Sequence, residues 1–247
     1  MFENKVVIVT GASSGIGEQI ALAFAKEGSN LVITYKENKQ GAKEVASKIK
    51  NENKSKVLIV QADLTVDSEA ESVVKKTIQE FGRIDFLVNN AGRYISGDEW
   101  NGKAEIWNKS LQQSLISVMS MSKYAIEIFQ NQKFGDIINI SSRYSTRGQA
   151  DALAYSAAKA GVANITQAYA KILAPFGRAN TVSPGAVKAG YWLNAEKEEL
   201  EETLEDVLLE KLVETKEIAE MVLFLASDKA NSITGQNIFV DGGYGLK

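Results

Sequence analysis

Short β-branched runs alternate with longer stretches of helical periodicity from one end of the chain to the other. The apolar runs are Val6–Thr10, Leu31–Tyr35, Val57–Gln61, Phe86–Asn89, Ile137–Ser141, Asn180–Ser183 and Asn237–Val240, and each predicts a strand. Between them, apolar residues recur at intervals of three and four around Gly15–Glu27, Gly41–Lys50, Ser68–Phe81, Lys103–Gln130, Ala154–Leu173 and Glu217–Ala226, which predicts helices. Runs such as Lys-Val-Val-Ile-Val-Thr are apolar without alternation, as expected when helices cover both faces of a parallel sheet. The repeated strand–helix order fits a sheet that is doubly wound or closed as a barrel. A barrel needs eight such units and the chain offers seven strands. The open sheet is therefore the expectation.

One stretch breaks the pattern. Between residues 196 and 214 lie Glu196, Glu198, Glu199, Glu201, Glu202, Glu205, Asp206, Glu210 and Glu214, against only Lys197 and Lys211. Leu200, Leu204, Val207, Leu208 and Leu212 fall at helical spacing within it, predicting an amphipathic helix with an acidic outer face. A solvated surface helix is the plain reading of such a charge run. Its insertion between the last two strands also suits a mobile lid over a substrate cleft, at about residues 188–215.

Length and composition then narrow the class. At 247 residues, 45% hydrophobic and 24% charged, the chain fits one α/β domain over residues 1–247. A formal net charge of −3 gives no electrostatic case for nucleic acid or anionic membrane. Two absences weigh more. Without histidine there is no Ser-His-Asp triad, histidine base or histidine-ligated metal. Without cysteine there are no disulfides, thiolate metal sites or cysteine nucleophiles. No metal site is expected, and chemistry must come from Ser, Tyr, Lys, Asp, Glu, backbone groups or a borrowed cofactor. The first apolar run is too short for a signal peptide or membrane span, so a cytoplasmic location is expected.

Thr10-Gly11-Ala12-Ser13-Ser14-Gly15-Ile16-Gly17 directly follows the first predicted strand and opens a helix. Glycine there permits a tight turn and lets backbone N–H groups approach a pyrophosphate, which the helix N-terminus also favours. This placement predicts a dinucleotide site on a Rossmann-type fold. The end of the second strand commonly carries an acid that binds the adenosine ribose and excludes a 2′-phosphate. Here Tyr35 and Lys36 stand at that point, which favours NADP(H) while leaving NAD(H) possible; Glu37 and the neutral Ser14 soften the preference.

Tyr155 and Lys159 are four residues apart on a predicted helix, and so neighbours on one face. That spacing alone is common; Tyr35 and Lys39 share it. Ser142 distinguishes the first pair, since it lies thirteen residues before Tyr155 at the carboxyl end of a predicted strand, where open α/β sheets hold ligands. An adjacent ammonium is expected to lower the pKa of the phenol, ordinarily about 10, into a useful range for acid/base work. Ser142 could orient the substrate oxygen and stabilise charge on it.

With these features in place, the chain resembles the short-chain dehydrogenase/reductase family, in its single-domain form. The resemblance is carried by Thr10–Gly17, Asp63, Asn89-Asn90-Ala91-Gly92, Ile140-Ser141-Ser142, Tyr155 with Lys159, Ser183-Pro184-Gly185, and Thr234-Gly235-Gln236 through Asp241-Gly242-Gly243. It implies that Tyr155 is the general acid/base, that Lys159 binds the nicotinamide ribose, and that Ser142 positions the carbonyl. It further implies that Gly11, Ser13, Ser14, Gly15, Ile16, Gly17, Tyr35, Lys36, Asp63, Leu64, Asn90, Ala91, Gly92, Pro184, Gly185 and Val187 contact the cofactor, Asp63 at the adenine. Homodimers or homotetramers are implied as well.

Four departures stand out against that pattern. Ser114, seven residues after Trp107, replaces a usual asparagine of the proton relay, so a slower relay is expected. Ala189 replaces a threonine that would bond the nicotinamide amide. The stretch Phe176-Gly177-Arg178-Ala179 is one residue short, and Asp136 stands where a basic residue is usual. The closing Thr-Gly-Gln-Asn-Ile-Phe-Val-Asp-Gly-Gly resembles 3-oxoacyl-(acyl-carrier-protein) reductases, yet the acidic 196–214 stretch and Asp136 disfavour an acidic carrier. The expectation is an NADP(H)-dependent oxidoreductase of a small free ketone or secondary alcohol. The alternatives are a true carrier-protein reductase, or an NADP(H)-binding sensor that has lost turnover.

Overall fold

In a computed structural model, which describes residues 2–52 and 55–246, all seven strands pair in parallel in the order β3-β2-β1-β4-β5-β6-β7. They are β1 (Val6–Val9), β2 (Asn30–Tyr35), β3 (Val57–Gln61), β4 (Phe86–Asn89), β5 (Asp136–Ile140), β6 (Ala179–Pro184) and β7 (Asn237–Val240). The helices are α1 (Gly15–Lys26), α2 (Lys39–Glu52), α3 (Asp67–Phe81), α4 (Ala104–Leu111), α5 (Ser117–Gln132), α6 (Leu153–Leu173), α7 (Lys197–Glu205) and α8 (Thr215–Ala226). The fold is the doubly wound α/β sheet that the sequence predicts.

Successive strand residues point to opposite faces, and both faces are covered. Val7, Val9, Leu31, Ile33 and Val182 pack with Ile20 and Phe24 of α1, Ile49 of α2 and Val222 of α8. Ile8, Val32, Leu87 and Ile137 pack with Val73 of α3, Met121 and Phe129 of α5 and Leu173 of α6. Two oily layers explain why the strands show no alternation. No helix among the described residues is long and apolar enough to cross a membrane.

Three expectations need correction. The single helix expected over Lys103–Gln130 is interrupted by a π-helical turn at Gln112–Ile116, with Ser114 at its centre. Such turns carry one residue more than the α-helix needs. Gly92 (φ 135°) packs here: a Cβ on it would lie 3.2 Å from the Gln113 carbonyl and 3.3 Å from the Ser114 Oγ.

The acidic amphipathic helix is shorter than its leucine spacing suggests, ending at Glu205 with no buried residue. Beyond Asp206 the chain turns to pair with the C-terminal segment. Val207 bridges Tyr244, the Leu209 N–H donates to the Gly242 carbonyl at 3.0 Å, and the Gly245 N–H donates to the Asp206 carbonyl at 2.7 Å.

Asp136 begins β5 at the amino edge of the sheet, opposite the edge where ligands bind. It accepts the Arg178 backbone N–H and Nη2, each at 2.6 Å. The odd acid and the shortened Phe176–Ala179 stretch are thus two halves of one buried ion pair. Asp136 has no bearing on carrier docking at the cleft.

Candidate active site

β1 and β4 are adjacent, and the connections after them run in opposite directions across the sheet. That switch point opens a crevice at the carboxyl edge. A cleft of about 1100 Å³ runs along it, and its walls hold nearly every residue expected there: Gly11, Ser13, Ser14, Gly15, Ile16, Tyr35, Lys36, Asp63, Leu64, Asn90, Ala91, Gly92, Ser142, Tyr155, Lys159, Pro184, Gly185 and Val187.

The glycine loop is held from below. Thr10 Oγ1 accepts the N–H groups of Asn90 (2.9 Å) and Ala91 (3.0 Å). Asn90 Nδ2 donates back to the carbonyls of Thr10 (2.9 Å) and Gly11 (3.1 Å). Gly11 and Gly15 sit at φ 62° and 61°, a left-handed conformation that costs glycine nothing. Gly17 does not line the cleft. Instead, a Cβ there would lie 2.4 Å from Asn90 Nδ2 and 2.5 Å from the Gly11 carbonyl oxygen, so it is the close packing of the loop that requires glycine. No side chain caps the start of α1, which leaves its N-terminal donors for an anion. The left-handed loop, the uncapped helix start and the length of the cleft fit a dinucleotide.

At the end of β2, Lys36 Nζ lies 2.7 Å from Asp63 Oδ2. Slight burial of Asp63 is outweighed by hydrogen bonds from Lys36 and Thr65, which hold the carboxyl below its ordinary range. The cation expected to favour a 2′-phosphate is therefore engaged with the acid expected at the adenine.

β5 and α6 bring the reactive groups together. Ser142 Oγ accepts the Tyr144 N–H at 3.2 Å, which leaves its proton to donate elsewhere. Lys159 is buried, its Nζ donating to the Ile140 carbonyl at 2.9 Å and lying 5.6 Å from the centre of the Tyr155 ring. Burial without a carboxylate partner pushes Lys159 down to about 8. Burial pushes the Tyr155 phenol up to about 12, opposed only in part by a hydrogen bond with Ser142. The lowering expected from the ammonium does not appear: burial dominates, and only the Ser142 hydrogen bond opposes it. Ser114 does not reach the cleft wall; it is buried and its Oγ has no partner among the described residues.

One residue that sequence patterns missed is Asp98. Fully buried, its carboxylate accepts the N–H groups of Ala154 (2.9 Å) and Tyr155 (2.7 Å) and the Ser110 hydroxyl (2.9 Å). It caps α6 from a distant loop and fixes the backbone of Tyr155. No sequence spacing links residue 98 to residue 154, so no local signal marks it.

A family model described as Enoyl-(Acyl carrier protein) reductase matches residues 11–245. The chain is 36% identical to 3-oxoacyl-(acyl-carrier-protein) reductase FabG of Staphylococcus epidermidis, covering 97% of this chain and 98% of that one. Against the Thermotoga maritima enzyme of the same description it is 34% identical, over 98% of each chain. A phenylalanine-to-leucine double variant of a Serratia marcescens short-chain dehydrogenase/reductase superposes with a TM-score of 0.92 at 28% identity, covering 99% of both chains. Near-complete matches in sequence and in fold establish that the chain belongs to the short-chain dehydrogenase/reductase family, nicotinamide-dependent oxidoreductases acting on CH–OH groups.

Proposed function

We propose that this chain is an NADP(H)-dependent oxidoreductase that interconverts a free ketone or 3-oxo compound and its secondary alcohol, with Tyr155 as general acid/base. The observation that carries this reading is the placement of Ser142, Tyr155 and Lys159 on one wall of the cleft. A nicotinamide there supplies or accepts the hydride. Ser142 Oγ, its lone pair already held by the Tyr144 N–H, donates its proton to the substrate oxygen and stabilises negative charge on it. Tyr155, a protonated phenol at neutral pH, donates the proton that completes reduction of the carbonyl. Lys159 presents its ammonium to the ribose and, when charged, favours the phenolate left behind.

The glycine loop and the α1 N-terminus hold the pyrophosphate, and Asp63 faces the adenine. Lys36 must divide itself between Asp63 and a 2′-phosphate, so NADP(H) is preferred by a narrow margin. The 188–215 segment serves as the lid, and the chain acts as a homodimer or homotetramer in the cytoplasm.

The names of the relatives favour a second reading, reduction of 3-oxoacyl groups on a carrier protein. Of the charge arguments against it, only the acidic α7 region remains, since Asp136 is buried on the far edge with Arg178.

NADPH oxidation by the purified protein against ketones, β-ketoesters and a carrier-linked 3-oxoacyl substrate separates these readings. A free-ester preference supports the first and a carrier preference the second. Tyr155→Phe should lower kcat by about 10²–10⁴-fold. Unchanged turnover in that variant would remove Tyr155 from the role.

A further inference from the structure

Three tyrosine rings meet where a carbonyl must approach the catalytic phenol. Tyr94 and Tyr144 each stand edge-to-face with Tyr155, at centroid distances of 6.3 and 6.4 Å and interplanar angles of 87° and 89°. The site beside the phenol is therefore a corner with aromatic walls. One wall is fixed in place: the Tyr94 hydroxyl donates to the Asp151 carbonyl at 3.1 Å. The loop behind it is tied to α6 by Asp98, whose carbonyl accepts the Leu153 N–H at 2.7 Å and whose carboxylate holds Ala154 and Tyr155. Despite these anchors Tyr94 remains 42% exposed.

Two more rings lie on the segment after β6. Tyr191 and Trp192 meet edge-to-face at 5.3 Å and 87°; Trp192 lines the cleft and Tyr191 is exposed. Tyr191 is braced by a hydrogen bond to Glu199 at 2.5 Å.

Aromatic rings prefer edge-to-face or offset partners. The corner beside Tyr155 presents such partners from the loop after β4 and from the segment after β5, and Tyr94 is exposed. Building on the ketone-reductase reading, we propose that the substrate is an aryl ketone, whose ring packs against the Tyr94 and Tyr144 corner while its carbonyl reaches Ser142 and Tyr155. An alkyl chain of equal carbon count fills similar volume but gains no ring-to-ring contact.

The test compares ethyl benzoylacetate with ethyl 3-oxononanoate, whose phenyl and hexyl groups carry the same number of carbons, using the intact protein and NADPH. The aryl ester should show a kcat/KM about tenfold higher, the worth of one good aromatic pair. Tyr94→Leu should collapse that ratio to about one, and Tyr94→Phe, which keeps the ring, should retain it. An aryl-to-alkyl ratio at or below one in the wild type, or a ratio that survives in Tyr94→Leu, overturns the proposal. If neither ester turns over, the reductase reading is what fails for these substrates. Calorimetric affinities of the two esters for the NADP⁺-saturated protein then decide the aryl proposal separately, and equal affinities or no binding overturn it.

Discussion

The two edges of the sheet treat buried charge in opposite ways. At the amino edge, Asp136 and Arg178 form a pair at 2.6 Å, and Arg178 Nη1 also donates to the carbonyls of Leu225 and Ala230, each at 2.8 Å. Nearby, Asp85 accepts the Val6 N–H at 2.9 Å and Arg83 Nε at 2.8 Å, with Lys5 at 3.2 Å. At the carboxyl edge, Lys159 is as deeply buried, yet it has a single carbonyl acceptor and no carboxylate, and Ser114 Oγ has no partner. A buried ion that is matched on every side holds a fold together, whereas one left short of partners keeps its bonding capacity for something that binds. The first edge is built for stability and the second for chemistry.

The largest effects should come from removing the unmatched cation. Lys159→Met should lower kcat by about 10²–10⁴-fold while making the protein more stable at pH 7. The native lysine titrates near 8 and the unfolded one near 10.5, so between those values the unfolded chain binds more protons. Wild-type stability must then rise with pH from about 8 towards 10. The advantage of Lys159→Met, about 3 kcal/mol at pH 7, should shrink over the same window. Urea titrations of both proteins at pH 7 and 9.5 check this; a constant gap would mean that the fold does not lower the Lys159 pKa. In the wild type, kcat/KM for reduction should fall above about pH 8 as the same ammonium loses its proton.

Next in size is the matched pair. Arg178→Ala leaves Asp136 buried without its counter-ion and should cost about 3–5 kcal/mol in unfolding free energy. Affinity for NADPH should not change, because that edge has no part in the cleft. Loss of cofactor affinity in a protein still folded would break the contrast between the edges.

The contrast also marks what a sequence can show. The strands, the glycine loop, Ser142 and the Tyr155–Lys159 pair were legible because each is written locally, in periodicity, in turn chemistry or in i,i+4 spacing. Features that depend on which distant residues meet were not. Asp136, an acid at a usually basic position that counts against an acidic carrier in the sequence, is set against Arg178 by β5 and β6. The leucines of the acidic stretch kept helical spacing past Asp206, where pairing of Val207 with Tyr244 overrode it. Asp98 carried no signal at all, since the α6 residues it holds lie more than fifty residues away. The shift in the Tyr155 pKa runs opposite to expectation because burial, which spacing does not reveal, dominates it.

The smallest predicted effect is the sharpest probe of the unmatched edge. Ser114 sits in the π-helical turn with its hydroxyl buried and unbonded. A hydroxyl that contributed to folding would be expected to lose about 0.5–1.5 kcal/mol of bonding when replaced by alanine. Here there is no bond to lose, and deleting a desolvated, unpaired polar group removes a cost instead. Ser114→Ala should therefore leave stability unchanged or raise it by about 1 kcal/mol. If the hydroxyl serves the proton path from Tyr155 and Lys159, the same change should reduce kcat about two- to tenfold, the kinetic equivalent of one hydrogen bond, with KM for NADPH unaltered. Thermal unfolding and steady-state rates on one preparation separate the possibilities. Lower stability with an unchanged rate would make Ser114 a structural residue and draw that part of the carboxyl edge closer in character to the amino edge.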